Sequence, residues 1–220
     1  MTKTRNLIFV LAVLLCSAAY ADDQVRIGIG LPYLNIGVNL NRYPDLVAVP
    51  GYPVYYAPGV NANYFFYDGL YWVYQNDNWY ASSWYNGPWS FVDPLAVPAI
   101  VLQVPVAYYR RPPAYFRGWR VDAPPRWNYH WGRDWDSRRS DWNRWDARAA
   151  RSAAPLPLYQ REYPQDRYPR RLEQQRALQD RSYRYQPRDA MVRQHYGRRP
   201  AQNVPPTRSK RTRRDDGDRR

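Results

Sequence analysis

The sequence holds one cysteine, two histidines and two methionines in 220 residues. The cysteine, Cys16, follows the apolar run Leu7 to Leu15 inside an N-terminal leader. Once that leader is removed, no disulfide can staple the fold and no thiolate is present as nucleophile or metal ligand. His130 and His195 form neither an HxH nor an HxxxH pair, so a zinc centre lacks its usual ligand spacing. His130, in Tyr129-His130-Trp131, is expected to be a packed or solvated neighbour of the rings beside it. No metal and no cofactor is expected. Leu, Ile and Val are scarce beside 22 Tyr and 10 Trp, which rules out a single large aliphatic core. No apolar run in the mature chain is long enough to cross a bilayer.

Lys3 and Arg5 make a positive n-region, Leu7 to Leu15 a short apolar h-region, and Ala19-Tyr20-Ala21 a small-x-small cleavage site. Residues 1–21 therefore read as a signal peptide, cleaved between Ala21 and Asp22. Leu15 stands where a lipid-modification signal would want a small residue before Cys16. An exported chain without disulfides fits the periplasm or cell surface of a Gram-negative bacterium.

What the chain has in abundance is positive charge, and it is unevenly placed. The whole sequence carries 33 Lys and Arg against 19 Asp and Glu, a formal net charge of +14. Residues 22–107 hold only Arg26 and Arg42 against Asp22, Asp23, Asp45, Asp68, Asp77 and Asp93, so the positive excess lies past residue 107. A mildly acidic head joined to a strongly basic tail points to an anionic partner, either an envelope polymer or an acidic envelope protein. Export disfavours intracellular nucleic acid.

The head reads as β. Val25–Leu31 and Leu34–Leu40 alternate with period two, as half-buried strands do. Gly28, Gly30 and Gly37 alternate within them instead of clustering before a helix, which argues against a phosphate-cradling loop. Prolines at 44, 50, 53 and 58 leave room only for a short or edge strand such as Val54–Tyr56. Asp68-Gly69 then separates Tyr64–Tyr67 from Leu70–Tyr74, and Asn86-Gly87 separates Trp79–Tyr85 from Trp89–Val92; both dipeptides suit two-residue hairpin turns. Closing the first turn sets Tyr67 opposite Leu70, Phe66 opposite Tyr71, Phe65 opposite Trp72 and Tyr64 opposite Val73. Rings then stand on both faces, of which only one need be core. Asp93-Pro94 reads as a cap and first position of a short helical turn. Leu95–Val106 reads as an extended segment, with a short helix as the competing assignment.

Past Tyr108 the chain becomes rich in Pro, Trp and Arg. Within residues 108–150, Trp131, Trp135, Trp142 and Trp145 recur at helical spacing and Asp134/Arg138 makes an i,i+4 pair, so a helix is expected over 131–150. Residues 151–220 are expected to be a disordered basic tail with a weaker helix over 170–183, because the segment has few apolar residues to offset its ordering entropy. The fold class is thus mainly β: a small antiparallel, aromatic-rich meander or partly open barrel over 22–107, followed by an extended, partly helical, largely disordered basic tail.

The strings YDGLYWVY, NDNWYASSWYNGPW, VPVAYYRRPPAYFRGW and HWGRDW, spread over roughly residues 50–146, resemble a group of exported, Tyr- and Trp-rich proteobacterial proteins of unknown function. More loosely the chain is similar to exported proteins with tryptophan-glycine-tryptophan repeats. The resemblance implies an envelope location and a small aromatic β domain, and brings no catalytic residue.

Catalysis needs convergent titratable groups, and few are present. Asp68 is explained by its turn, Asp77 by a loop and Asp93 by its cap, so no catalytic residue is assigned. Aromatic platforms are the sharper reading, since Tyr and Trp faces stack on sugars or bases and Arg binds phosphate or carboxylate in a bidentate fork. In the head, Trp72, Trp79, Trp84 and Trp89 are expected mainly to pack. In the tail, Trp119, Trp127, Trp131 and Trp135 beside Arg117, Arg120, Arg126 and Arg133 form the candidate binding set. The expected role is non-enzymatic binding of anionic surface polymers: lipopolysaccharide phosphate, anionic glycan, lipid headgroups or extracellular DNA. An assembly component pairing through its aromatic β domain, and a carbohydrate-active enzyme, are the alternatives.

Overall fold

The computed structural model describes residues 34–144, 152–163, 167–171, 173–175, 177–178 and 185–197. Its organising element is the hairpin at Asp68-Gly69, where φ is 48° and 89° at the two turn residues. Aspartate tolerates this left-handed turn and glycine adopts it without steric cost. It joins β3 (Asn63–Tyr67) to β4 (Leu70–Gln75). Their register is the expected one, with Tyr67 opposite Leu70, Phe66 opposite Tyr71, Phe65 opposite Trp72 and Tyr64 opposite Val73. A second left-handed turn, at Asn76 (φ 49°) and Asp77 (φ 65°), leads into β5 (Asn78–Ser82). Asp77 thus sits in a hairpin turn, more defined than the loop expected of it. With β1 (Val47–Ala48), β2 (Val54–Tyr56) and β6 (Ser90–Val92), the strands form one antiparallel sheet in sequential order. The sheet is open, a meander and not a closed barrel.

Three local expectations are corrected. Asn86-Gly87 is not a two-residue turn but lies within the longer loop joining the antiparallel pair β5–β6: β5 ends at Ser82, whose Oγ accepts from the Trp84 amide at 3.0 Å, and the Asn86 side chain exchanges two hydrogen bonds, 2.8 and 2.9 Å, with the Leu40 backbone. Among the described residues, Leu34–Leu40 forms only a bridge, Leu34 to Trp89. Gly37 turns the chain at φ 75°, where its amide bonds to Asn35 Oδ1 at 3.0 Å. Within Leu95–Val106 the competing assignment holds, since the apolar run coils into α1 (Ala99–Leu102). The Asp93 cap is as expected: its carboxylate accepts from the Leu95 amide at 2.8 Å, with Pro94 opening a short 3-10 turn.

A tight approach makes Gly87 irreplaceable. Its φ is +84°, and a Cβ there would lie 2.8 Å from Trp89 Cδ1. Gly87→Ala is expected to cost about 1–3 kcal/mol from backbone strain alone, read as a lowered midpoint in thermal unfolding.

Both faces of the sheet are core, which corrects the expectation that one would suffice. On one face Phe65, Leu70, Trp72 and Trp79 lie under Val97, Ile100, Val101, Leu102, Tyr109, Phe116 and Trp127. On the other, Tyr64, Phe66, Tyr71 and Val73 lie under Ile36, Val38, Tyr43, Trp84, Trp89, Tyr159 and Tyr168. Strand alternation sends successive rings to opposite sides, and each side is roofed by a different length of the same chain.

The helix expected over 131–150 begins earlier and is broken. The helical stretch, α2, runs Trp127–Arg138, and Gly132 interrupts it at φ 82°, ψ 178°, a region essentially restricted to glycine. Trp142 follows the helix end, and Trp145 lies outside the described residues. Asp134 and Arg138 are both exposed and form no ion pair, since an exposed i,i+4 pair contributes only about 0.3–0.5 kcal/mol. Described stretches of 151–197 pack against the sheet. α3 (Leu158–Glu162) and α4 (Ala190–Gly197) are helical, and Tyr159, Tyr168 and Val192 are buried. Helical residues at 173–175 and 177–178 fall within the expected 170–183. Asp68 anchors the approach to α4, accepting from Tyr185 Oη at 2.6 Å and from the Arg188 and Asp189 amides at 2.8 and 2.7 Å. Asp189 caps α4 through the Met191 and Val192 amides. The leader, Val25–Leu31 and everything past 197 lie outside the described residues. No helix among the described residues is long and apolar enough to cross a membrane.

Candidate functional site

The four tail tryptophans divide into two kinds. Trp127 is fully buried and donates from Nε1 to the Leu102 carbonyl at 2.8 Å; Trp135 is also buried. Trp119 and Trp131 are only partly buried. The indoles form a ladder: Trp127 lies parallel to Trp131 at 4.5 Å, Trp131 meets Trp135 at 4.7 Å, and Trp135 meets Trp142 at 5.7 Å. Trp119 stacks on Phe116 at 4.6 Å, and Phe116 packs on Trp127. These partly buried indoles therefore rest on buried rings. In the head, Trp72, Trp79, Trp84 and Trp89 are all buried and serve as packing.

Arg117, Arg120, Arg126 and Arg133 are all exposed. Arg120 grips Asp122 through two bonds of 3.0 and 2.6 Å, and that guanidinium holds the Asp122 carboxyl below its usual range. Among the described residues Arg117, Arg126 and Arg133 have no ion-pair partner. Arg139 differs: it is buried, paired with Asp141, and donates to the Val97 carbonyl at 2.9 Å. Its role is structural.

Beside this surface stands a group that sequence spacing did not announce. Asp77 Oδ1 accepts from Tyr74 Oη at 2.6 Å and from Tyr115 Oη at 2.8 Å, and His130 Nε2 lies 2.7 Å from the same oxygen. The two phenols also hydrogen-bond to each other. Tyr115 lies flat on His130, ring centroids 4.0 Å apart at 5°. Burial pushes both phenols up, and their bonds to Asp77 push them further. Partial burial acts to raise Asp77, but the hydrogen bonds from Tyr74 and Tyr115 and the nearby imidazole outweigh it and set the carboxyl below its ordinary value. A depressed carboxyl stabilises the fold above its unfolded value, and that contribution is lost as pH falls through the folded value. Asp77→Asn is therefore expected to flatten the acid limb of the stability curve below about pH 4, measured by denaturant unfolding across pH.

An open cleft of about 680 Å³ lies next to Asp77, with Asn39, Asn61, Asn76 and Arg111 in its lining. Asn63 pins Arg111 there by accepting from its amide and donating to its carbonyl, both at 2.7 Å. Among the described residues no three His, Cys, Asp or Glu side chains come together. Set against protein-family models, curated proteins and solved structures, the chain has no match. Function is accordingly argued from geometry.

Proposed function

We propose that the protein is a non-enzymatic, exported envelope protein that binds anionic surface polymers through the Trp/Arg surface of residues 117–133. The supporting observation is that Trp119 and Trp131 are only partly buried and that Arg117, Arg126 and Arg133, close to them in sequence, are exposed and meet no carboxylate among the described residues. Trp127 and Trp135 serve as their buried footing. Rigid indole faces suit stacking on sugars or bases, and guanidinium forks suit phosphate and carboxylate. With both sheet faces covered by the chain itself, the assembly alternative is left with the sheet edges.

Retention on immobilised lipopolysaccharide or duplex DNA tests this reading. Binding by the mature chain is expected to weaken steeply with salt. On duplex DNA, Arg117→Gln, Arg126→Gln and Arg133→Gln are each expected to lower the slope of log affinity against log salt by about one. Retention indifferent to salt, or unchanged in the triple variant, refutes it.

A further inference from the structure

Four polar side chains around one point come from three stretches of chain: Tyr74 and Asp77 from the end of β4 and the turn after it, Tyr115 from the 3-10 turn Ala114–Phe116, and His130 from the first half of α2. The turn itself does not require them. Three groups crowd onto Asp77 Oδ1, while Oδ2 makes no hydrogen bond among the described residues and the side chain is 54% exposed. The spacings from that oxygen, 2.6, 2.8 and 2.7 Å, are hydrogen-bond lengths that hold four potential metal donors together in one cluster.

We propose that Tyr74, Asp77, Tyr115 and His130 form a binding site for a hard trivalent cation, with ferric iron as the ion the donor set fits. Carboxylate and phenolate oxygens are hard, anionic donors, and imidazole is a good nitrogen ligand for iron. Two phenolates and one carboxylate carry three negative charges, which neutralise a trivalent ion; His130 adds a neutral fourth donor. The set does not resemble the Cys- and His-based closed sites that hold zinc. The exposed flank of Asp77 leaves the remaining coordination positions to water or a small anion. Binding as phenolates releases one proton from each Oη to solvent, so acid reverses the binding. This site is independent of the arginine surface: it holds or fails whether or not that surface binds polymer.

The test uses the untagged mature chain and ferric nitrilotriacetate. One iron per chain is expected after gel filtration, with a visible phenolate-to-iron charge-transfer band that neither Asp nor His can produce and that disappears on acidification. Tyr115→Phe changes a half-buried ring and is expected to reduce the band to what Tyr74 alone contributes and to weaken binding more than about 100-fold, beyond the 10–100-fold typical of outer-shell partners. His130→Gln is expected to weaken binding while keeping the band, and Arg117→Gln to change neither. Near-UV circular dichroism of the indole ladder reports whether each variant remains folded. Iron bound without the band, no iron bound, or an equal band in a folded Tyr115→Phe protein overturns the proposal.

Discussion

Ending the chain after Ala107 is expected to abolish cooperative folding and not to release a small β domain. Tyr109, Phe116, Trp127, Trp135 and Trp142 belong to the same buried cluster as Phe65, Trp72 and Trp79 of the sheet. Each large side chain contributes about 1.5–3 kcal/mol on burial, so the five together supply roughly 8–15 kcal/mol, as much as the whole net stability of an ordinary domain. Their loss would also expose one aromatic face of the sheet to water, an invitation to aggregation. Residues 22–107 alone should show no cooperative transition in urea by tryptophan fluorescence and no protected amides in β3 and β4. Residues 22–197 should unfold in one step. A cooperative transition of residues 22–107 at the midpoint of the longer chain would show that the second layer is dispensable.

The β3–β4 register was legible because Asp68-Gly69 admits one turn type, and once that turn is fixed every cross-strand pair follows. Asp93-Pro94 was legible because a cap acts within three residues. The hairpin at Asn76-Asp77 was missed: neither residue is glycine, so the dipeptide gives a weaker turn signal although both residues tolerate the left-handed region. The covering of the second face was missed for a compositional reason. Residues 151–178 are poor in Leu, Ile and Val, and counting those residues makes the segment look unable to fold. Tyr159 and Tyr168 nevertheless bury whole rings against Tyr43, Trp84 and Tyr85. Tyrosine is costly to bury only when its hydroxyl lacks a partner, and here Tyr159 bonds to Tyr71 and Tyr168 to Tyr85.

Candidate residues were legible by type and not by depth. Trp119, Trp127, Trp131 and Trp135 look alike in a string of Trp and Arg, and only packing separates the buried pair from the half-exposed pair. Helical spacing placed the indoles on one side, but Gly132 breaks the helix, and a lone glycine in a helical pattern does not announce whether it will. The Asp77 group was illegible because its members are distant in the chain, Asp77 and His130 being 53 residues apart. Ligand-spacing patterns also turn on histidine and cysteine, so phenols pass unnoticed.

Depth is also what separates stability from binding, and one pair of substitutions is expected to show it. Trp127→Ala should destabilise the protein by about 3–5 kcal/mol, the usual cost of emptying the site of a large buried ring. To this is added roughly 1–3 kcal/mol for leaving the Leu102 carbonyl without its indole donor. The void would fall between Tyr74, Trp79, Tyr109 and Phe116 on one side and Trp131 on the other, rings that cannot collapse into it without giving up their own contacts. A shift of this size is large against the whole stability of a domain, and it should appear in urea midpoints and in loss of the near-UV dichroism of the stacked indoles. Trp119→Ala removes a partly buried ring that stacks on Phe116 and should cost less than Trp127→Ala, yet it should lower retention on lipopolysaccharide at fixed salt, since base-stacking platforms contribute about 1–3 kcal/mol each. The two variants thus predict opposite patterns: one unfolds early, and the other stays folded while binding weakens. If Trp119→Ala binds as the parent does, the exposed indoles are not platforms and the arginines alone hold the polymer. If Trp127→Ala is as stable as the parent, the buried ladder does not hold the sheet to the residues that follow it.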